Sequence, residues 1–394
     1  MAIRKRGEEL ISSLVAIPSP NPPGNEGLLV AWIAAWLDRR GISSTVVDFG
    51  PGRSSLAATI PGREGGALLL SGHLDTVSPS SASNKCDSPK GWQADPYLPR
   101  IEGDRLFALG ATDMKGGVAM LLEAFLAIAE RARREGPPQY SLRLLLSADE
   151  EDSYRGAGAL AEAGLVKDAL FTLVAEPTAG QILVGERGEF WLRASFHGKE
   201  AHGSTPTLGI NAAMACARFL LAIQSRINAL PPTPLLGGAT LNVGRIEGGR
   251  QVNIVPDFAQ AELDIRLGSE EVKTSIIAAL EEEGAKAAAP GRFSCETISY
   301  KRPMAAPLED PFLQMLADAY TLVRGERPQW GVATFCTDLP TLFPIGSPAF
   351  ALFGPGDIAQ AHQPEEWIDL RLWERDAAVL ERFLANALFP IPAR

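Results

Sequence analysis

Three short apolar runs, each followed at once by acidic or histidine residues, constrain the fold of this chain most strongly. The runs are ALLL at 67–70, SLRLLLS at 141–147 and ALFTLV at 169–174. Their length and nearly continuous apolar character indicate strands buried on both faces, as in a parallel sheet. An amphipathic helix pattern at 116–135 lies between the first two runs. This alternation predicts an α/β fold with a mostly parallel sheet.

Five polar motifs carry the candidate chemistry. They are SGHLDTV at 71–77, GATDMKGG at 110–117, ADEE at 148–151, VAEP at 174–177 and AHQPEE at 361–366. Ligands of open α/β sheets gather beyond the carboxyl ends of the strands, where three of these motifs are expected. Carboxylates and imidazoles in such a place, with no cysteine cluster nearby, are typical of a divalent metal held for hydrolysis.

Length and composition exclude several classes of protein. A chain of 394 residues is longer than one hydrophobic core usually organises, so two domains are expected. Apolar residues make up 46% and charged residues 21%, which is the composition of a folded protein and not of a disordered one. The net charge of −10 argues against a nucleic-acid partner, because phosphate binding needs a basic surface.

The sequence also favours a cytoplasmic location without a membrane partner. No apolar run reaches the length of about 18 residues that a spanning helix needs. Glu8 and Glu9 interrupt the N-terminal stretch, which therefore does not resemble a secretory signal. The four cysteines form no CxxC pair and are far apart, which is typical of a reducing compartment; they are Cys86, Cys216, Cys295 and Cys336.

The patterns along the chain predict a first domain that is interrupted by a second. Residues 1–186 and 299–394 carry the α/β patterns of the first domain, with boundaries predicted near 186 and 298. Between them, residues 187–298 read as a compact α+β insert in the order βαββαβ. Glu123 and Glu130, on the helix after Asp113, are expected to be surface charges.

The charges of the motif residues suit a site with two cations. Two divalent cations carry four positive charges, and the carboxylates of Asp113, Glu151 and Glu176 supply three negative ones, while His73 and His362 are neutral ligands. The remaining positive charge favours hydroxide and then the oxyanion of a tetrahedral intermediate.

Two further acidic residues of the motifs have expected roles beside the ligands. Asp75 lies two residues after His73 and is expected to orient its imidazole, although a turn cap is the simpler alternative. Glu150 and Glu151 are adjacent and point in different directions, so one can bind metal while the other acts as general base.

Taken together, the motifs resemble those of the M20 family of dinuclear metallohydrolases. The resemblance rests on GHLDTV, DMKGG, DEE, EP and a late AH, together with AHGSTPTLGINA at 201–212 and DIR at 264–266. It covers nearly the whole chain, and the ordered set of motifs is far more specific than any single one. The family includes acetylornithine deacetylase, succinyl-diaminopimelate desuccinylase, aminoacylase-1 and glutamate carboxypeptidase.

The resemblance implies a role for each metal-site residue. His73 and Glu176 would bind one zinc ion, and Glu151 and His362 the other, although cobalt or manganese suits the same ligands. Asp113 would bridge both ions, and the peptide bond from Asp113 to Met114 would be cis. Glu150 would activate the water that bridges the ions.

The resemblance also implies roles in the insert, which would be a lid and dimerisation domain. His202 would stabilise the oxyanion in the active site of a neighbouring subunit, so the active unit would be a homodimer. Asn253 and Arg266 would bind the terminal carboxylate of the substrate. Each of His202 and Arg266 has a structural alternative, as a lid histidine and as a solvated strand charge.

Three stretches depart from the resemblance or remain unassigned. Ala108, Leu109 and Gly110 stand where the family has a Gly-Arg-Gly sequence, which leaves the ligand intact and alters the loop. Thr337 and Asp338 lie in a loop that differs among subfamilies, and substrate contact is one interpretation of them. The polar segment 78–90 is expected to be a surface loop near the mouth of the site.

We therefore expect a metal-dependent hydrolase that cleaves the amide bond of an N-acyl amino acid or a short peptide. A dipeptidase or carboxypeptidase of the same family is the main alternative. A catalytically silent binding module on the same fold would lack a ligand or the general base, and this sequence lacks neither. A serine hydrolase would show a G-x-S-x-G motif after a strand, and the sequence has none. The acyl group and the amino acid are not predicted.

Overall fold

The computed structural model describes residues 3–79 and 91–390 of the chain. Most of the predicted loop at 78–90, with Cys86, lies outside these residues. The helices of the described part are α1 (Ile3–Val15), α2 (Gly27–Asp38), α3 (Gly116–Glu135), α4 (Arg155–Glu162), α5 (Ala212–Asn228), α6 (Glu270–Ala288), α7 (Pro311–Arg324), α8 (Leu339–Leu342) and α9 (Leu370–Leu388).

The strands of the described part are β1 (Ser44–Gly50), β2 (Arg53–Ile60), β3 (Ala67–His73), β4 (Arg100–Glu102), β5 (Arg105–Phe107), β6 (Ser141–Ser147), β7 (Ala169–Val174), β8 (Leu183–Glu186), β9 (Gly188–His197), β10 (Thr240–Gly248), β11 (Phe258–Leu267), β12 (Arg292–Lys301), β13 (Met304–Ala305), β14 (Gly331–Ala333), β15 (Ala349–Leu352) and β16 (Trp367–Asp369).

These residues form two compact units. The first contains residues 3–184, 306–331 and 337–390 within the described ranges, and the second contains residues 185–305 and 332–336. We call them the catalytic unit and the lid unit, after the roles that the resemblance implies. The sequence boundary predicted near 298 falls inside β12, which continues to Lys301 and pairs with β9 over its length. The return of residues 332–336 to the lid unit had no signal in the sequence.

The catalytic unit is built on a sheet whose centre is parallel, as the apolar runs predicted. Its order is β1-β2-β6-β3-β7-β15-β8. The neighbours β6, β3, β7 and β15 are parallel to one another, whereas β1, β2 and β8 add antiparallel margins. Every residue of β3 is buried, because helices on the sheet leave its apolar side chains no exposed face.

Helices α1, α3, α7 and α9 build the core beside this sheet. Helix α3 occupies the predicted range 116–135, and its buried side chains run from Gly116 to Ala129. Trp373 on α9 is completely buried and donates its indole N–H to the Gly116 carbonyl at 2.8 Å. Asp369 caps α9 by accepting the backbone N–H of Arg371 at 2.8 Å. The start of α3 is therefore packed and hydrogen-bonded against the C-terminal helix.

Glu123 corrects one expectation for α3. The sequence pattern placed it on the solvent side of the helix, but its side chain is buried and pairs with Arg6 of α1 at 2.7 Å. Glu130 is exposed, as predicted. The difference arises because α1 covers the middle of α3, and a single amphipathic pattern cannot show which part of a helix another helix covers.

The lid unit has the predicted βαββαβ order, formed by β9, α5, β10, β11, α6 and β12. Its antiparallel sheet has the order β10-β11-β9-β12. Alternate residues of β9 and β11 point to one face, where Phe190, Phe196 and Ile265 are buried against α5 and α6. The chain enters and leaves the unit side by side, because Gly185 and Glu186 pair with Ala305 and Met304.

None of the helices in the described ranges is both long and apolar enough to cross a membrane.

Candidate active site

The parallel strands bring three of the five motifs to one edge of the sheet. His73 ends β3 and is opposite Ser147, the last residue of β6, and Ser71 is opposite Val174, the last residue of β7. The ADEE motif follows immediately after β6, and the VAEP motif begins at the last residue of β7. Since the strands are parallel, the motifs leave the sheet at the same edge, which confirms the placement predicted from the apolar runs.

A short irregular turn presents Asp113. Gly110 has a φ of 80°, in the left-handed region that glycine adopts without steric cost, and a π-helical turn at Ala111–Lys115 then leads into α3. Asp113 has φ −120° and ψ 99°, so its backbone is extended inside this turn. The predicted cis peptide between Asp113 and Met114 is confirmed.

The carboxylate of Asp113 lies between two imidazoles. Its Oδ1 is 3.0 Å from His73 Nε2, and its Oδ2 is 3.6 Å from His362 Nε2. Glu151 approaches from the other side, with Oε2 at 3.0 Å from the same nitrogen of His362. Ligand atoms of His73, Asp113 and Glu151 all lie within 4.8 Å of one another. These distances place the predicted bridging residue between one histidine of each predicted metal pair.

The hydrogen bonds of His73 fix its tautomer. Its Nδ1 is 3.0 Å from the main-chain oxygen of Asp75, which can only accept a hydrogen bond. Nδ1 therefore carries the proton in the neutral ring, and Nε2 keeps its lone pair directed at the Asp113 side of the cluster. This is the arrangement that a metal-binding histidine requires, with one nitrogen anchored and the other open.

The carboxylate of Asp75 holds the backbone of the two neighbouring glutamates. It accepts the N–H of Glu150 at 3.2 Å and that of Glu151 at 3.1 Å, and its distance to His73 Nδ1 is 3.7 Å. The sequence predicted that Asp75 orients the His73 imidazole. In the structure its main-chain oxygen makes that contact, and its completely buried side chain positions the ADEE turn.

The cluster concentrates negative charge in a buried place. Burial raises the pKa of Glu150 well above 4.5, His73 opposes this, and the charges of Glu176 and Glu151 raise the pKa further. The pKa of Glu176 is raised well above 4.5 by burial and then by Asp113, again against His73. Burial by itself would lower the pKa of His73, but the carboxylates raise it well above 6.5.

This charge distribution fits divalent cations. Carboxylates packed this closely in a buried site repel one another, and a bound cation relieves the repulsion and replaces the proton that burial favours. The donor set consists of carboxylate oxygens and imidazole nitrogens, which suit zinc, cobalt or manganese. Within the described residues, His73, Asp113 and Glu151 form a group that could hold a metal ion.

A buried network behind Asp75 was missed by the sequence analysis. Asn21 donates its side-chain N–H to Asp75 at 2.9 Å and to Asp149 at 3.0 Å. Arg53 donates to Asp149 at 2.5 Å and, from Nε and Nη2, to the two oxygens of Glu26 at 2.6 and 2.7 Å. The network therefore connects α2 and β2 with the turn that carries Glu150. Only the dense NPPG sequence around Asn21 hinted at a fixed conformation there.

Glu366 was quoted within a motif but was given no role. Its carboxylate accepts the backbone N–H groups of Gly110 at 2.9 Å, Thr112 at 2.7 Å and Asp113 at 3.0 Å. Burial raises the pKa of Glu366 to about 8, although these N–H groups oppose the shift.

Lys115, also completely buried, donates to the Ile17 carbonyl at 2.9 Å, and burial lowers its pKa to about 7.

Thr337 and Asp338 are both buried in the catalytic unit. The hydroxyl of Ser147, at the end of β6, donates a hydrogen bond to Asp338, and the charge of Asp338 raises the pKa of Glu150 and Glu176. Thr337 accepts the N–H of Leu339 at 3.2 Å. Asp338 therefore lies beside the carboxylate cluster, while substrate contact by Thr337 or Asp338 stays a prediction from the sequence.

In the lid unit, the predicted residue His202 is exposed and its ring is held by Ser204. The backbone N–H of Ser204 donates to His202 Nδ1 at 3.1 Å. Because an N–H can only donate, Nδ1 is the acceptor, so the neutral ring carries its proton on Nε2. His202 is also next to the Asn253 segment, since Gly203 donates its N–H to the Asn253 carbonyl at 2.7 Å.

Arg266 of the lid unit is held by acidic neighbours. Its Nε is 2.9 Å from Asp264 Oδ1, and its Nη2 is 3.4 Å from Glu189 Oε2. Its Nη1 points to the thiol of Cys336 at 3.7 Å. The guanidinium is therefore held by Asp264, Glu189 and Cys336 of the same unit.

Comparison with known proteins finds relatives that match most of the chain. The model of peptidase family M20/M25/M40 matches residues 69–386. An acetylornithine deacetylase from Proteus mirabilis is 29% identical over 393 residues, which cover 96% of both chains. A probable succinyl-diaminopimelate desuccinylase from Staphylococcus aureus is 25% identical and covers 92% of both.

A solved structure supports the fold. A tripeptidase from Staphylococcus aureus superposes with a TM-score of 0.80 at 20% identity, over 98% of this chain and 99% of that one. The mostly parallel α/β architecture predicted from the sequence is thereby confirmed. Because the family model covers most of its length, including the five motifs, the chain belongs to peptidase family M20/M25/M40 and is a hydrolase of amide bonds.

Proposed function

We propose that this protein is a metal-dependent deacylase that hydrolyses the amide bond of an N-acyl amino acid, with two divalent cations in the site. Zinc is the proposed metal, and cobalt or manganese is the substitute that the ligands would accept. The observation that carries the proposal is the Asp113 carboxylate, whose two oxygens face His73 Nε2 at 3.0 Å and His362 Nε2 at 3.6 Å. One carboxylate between two imidazoles is suited to holding two cations at once.

The other ligands divide into two pairs around Asp113. We assign His73 and Glu176 to one cation, and Glu151 and His362 to the other. The contact of 3.0 Å between Glu151 and His362 supports the second pair. The first pair is supported by the charge of His73, which acts on Glu176 and lowers the pKa of its carboxyl group. When bound, the cations would supply Lewis acidity to the substrate carbonyl and to the attacking water.

Glu150 is the proposed general base. Its side chain is only 9% exposed, and its backbone is fixed by the hydrogen bond to Asp75. The carboxylate would take a proton from water as the water oxygen attacks the carbonyl carbon, and would then give the proton to the amine nitrogen as the C–N bond breaks. The products are a free carboxylate and an amine, so the reaction consumes one water.

The lid residues have proposed roles in binding. Arg266 and Asn253 would bind the terminal carboxylate of the substrate, to which the guanidinium of Arg266 and the amide of Asn253 would donate hydrogen bonds. His202 would donate its Nε2–H to the oxyanion, and the bond from Ser204 N–H to Nδ1 at 3.1 Å supports that tautomer.

We further propose a homodimer through the lid unit, in which His202 acts on the neighbouring subunit. Sedimentation of the active enzyme tests this, because a purely monomeric active preparation would exclude action in trans. The free thiols of Cys216 and Cys295 support a reducing compartment, and we propose the cytoplasm.

The curated relatives support an acyl amino acid as substrate, since the Proteus mirabilis protein is named an acetylornithine deacetylase. A dipeptidase or carboxypeptidase activity is the alternative within the family. A deacylase and a dipeptidase differ in their response to a free α-amino group on the substrate. The dipeptidase needs this group, and the deacylase does not.

The test is turnover of chelated and zinc-reconstituted protein on N-acetyl, N-succinyl and N-carbamoyl amino acids and on dipeptides. Metal-dependent cleavage of the acyl amino acids, absent in Glu150→Ala, is the expected result. Cleavage of dipeptides alone would establish the alternative. Two bound metals with no cleavage in any class would contradict the deacylase proposal and favour a binding module.

A further inference from the structure

Glu366 joins the two parts of the catalytic unit that carry Asp113 and His362. Its side chain is 1% exposed, and it accepts N–H groups from three residues of the turn before α3. One oxygen accepts from Thr112 and Asp113, and the other accepts from Gly110. A single carboxylate thus binds the backbone on both sides of the turn and at Asp113 itself.

The turn needs such an acceptor because its backbone is irregular. Gly110 is left-handed and Asp113 is extended, so their N–H groups do not follow the regular pattern of a helix or a strand. Buried N–H groups must be paired, and an unpaired one costs about 1–3 kcal/mol. A carboxylate provides charge-assisted bonds that are stronger than those of a neutral acceptor.

The same segment also carries a metal-site histidine. His362 precedes Glu366 by four residues, and Trp367, directly after it, pairs with Phe107 of β5. The hydroxyl of Thr112 donates to the Trp367 carbonyl at 2.7 Å, and the N–H of Ala108 donates to the Glu366 carbonyl at 3.1 Å. Several hydrogen bonds therefore connect the AHQPEE segment with the Asp113 turn, and Glu366 makes three of them.

We propose that Glu366 is a positioning residue of the metal site, whose carboxylate fixes the Asp113 turn so that the Asp113 side chain lies between His73 and His362. Glu366 itself does not face the cluster as a ligand, since both of its oxygens are used by backbone N–H groups. The inference rests on the proposed function, because it concerns how well the five ligands hold metal.

The contact pattern makes a graded prediction. Glu366→Gln keeps one acceptor oxygen, which can serve Thr112 and Asp113, but places an amide NH₂ against the Gly110 N–H. Glu366→Ala removes all three bonds. Loss of a group that supports metal ligands usually weakens metal affinity by about 10–100-fold. We expect about tenfold weaker binding for Glu366→Gln and about a hundredfold for Glu366→Ala.

The experiment is titration of the metal-free protein with cobalt(II), followed by its visible absorption spectrum. We expect cobalt to bind most tightly to the wild type, more weakly to Glu366→Gln and most weakly to Glu366→Ala. The cobalt absorption bands should be altered in both variants, because the ligand geometry changes. Thermal unfolding of the metal-free proteins shows whether each variant is folded. Glu366→Gln has nearly the shape of the native side chain and keeps the test usable if Glu366→Ala does not fold.

The matched control is Glu123→Gln, which changes a buried, hydrogen-bonded carboxylate on α3 that pairs with Arg6 and belongs to neither the cluster nor the turn. Its cobalt affinity and spectrum should equal those of the wild type even if its stability falls. Wild-type cobalt affinity and spectrum in folded Glu366→Gln would overturn the inference and leave the proposed function intact. Failure of the wild-type protein to bind cobalt would instead overturn both.

Discussion

At the scale of single residues, the main feature is that one acceptor holds the backbone of two adjacent glutamates for which we propose different roles. Glu150 and Glu151 both donate their N–H groups to the Asp75 carboxylate, so their backbone is held by one acceptor. Their side chains then diverge, since Glu151 reaches His362 at 3.0 Å while the Glu150 carboxylate is buried among like charges. This arrangement supports the proposal that Glu151 binds metal while Glu150 acts as the base.

We predict that Glu150→Gln retains both metals and lowers kcat by about 100-fold or more, the usual effect of removing a general base. The amide has the shape of the carboxylate but cannot accept the proton from water. Steady-state kinetics and metal analysis of the same preparation check this. The control is Asp152→Asn, an exposed acid two residues away, which should retain wild-type kcat. A Glu150→Gln enzyme with a tenth of normal activity would remove Glu150 from its role.

At the scale of elements, buried ion pairs between side chains connect the ADEE turn with β2 and with the start of α2. Arg53 on β2 pairs with Glu26, next to α2, and with Asp149, and all three side chains are buried. Arg53→Met would leave the buried Glu26 carboxylate without its cation, while Asp149 would keep its pair with Arg155, and a buried charge left unpaired costs about 3–5 kcal/mol of unfolding free energy. Urea unfolding measures the loss. Arg4→Met breaks a half-buried pair with Asp104, which keeps Arg371 as a second partner, and should cost less than about 1 kcal/mol.

A second buried pair joins α7 to α9 and makes the stability depend on pH. Burial raises the pKa of Asp376 from 3.8 to about 7, against the opposing charge of Arg324. The folded protein therefore binds a proton more tightly than the unfolded chain, so the stabilisation is complete below pH 3.8 and disappears as the pH rises through 7.

This linkage predicts that Asp376 lowers the unfolding free energy by on the order of 4 kcal/mol between those two pH values. Asp376→Asn removes the titrating group, so the difference in stability between variant and wild type should shift in favour of the variant as the pH rises from 4 to 8. Unfolding in urea at several pH values measures it. A difference that does not change with pH would show that Asp376 remains ionised beside Arg324.

At the scale of the whole molecule, metal should stabilise the fold because the ligands come from distant parts of the chain. A cation that binds only the folded protein adds about 2.7 kcal/mol when its concentration is a hundred times its Kd. We predict a rise of this size in the unfolding free energy when zinc is added to the chelated protein. Asp113→Ala should bind neither cation firmly, lose turnover and show no such rise. An equal rise in that variant would place the metal elsewhere.

The sequence predicted the parts of the site that follow from strand periodicity, and it missed the parts that depend on contacts between distant segments. His73, Glu151 and Glu176 follow apolar runs, so a parallel sheet is enough to bring them to one edge. Asn21 and Arg53 meet Asp149 only after the sheet order is known, which no local pattern determines. Glu366 was visible in a motif, but the turn that it holds lies some 250 residues earlier. Glu123 was misread for the same reason, since Arg6 comes from another helix.

The order of the ligands along the chain has a consequence for how the protein is made. His73, Asp113, Glu151 and Glu176 are synthesised before the lid unit, whereas His362 and Glu366 belong to the last segment. A chain that is still being synthesised therefore contains these four residues before it contains the His362 imidazole and the Glu366 carboxylate that accepts the N–H groups of the Asp113 turn. We therefore expect the complete set of five proposed ligands to form only after residue 362 has been synthesised, and a product terminated before that residue would lack one ligand of the second proposed cation.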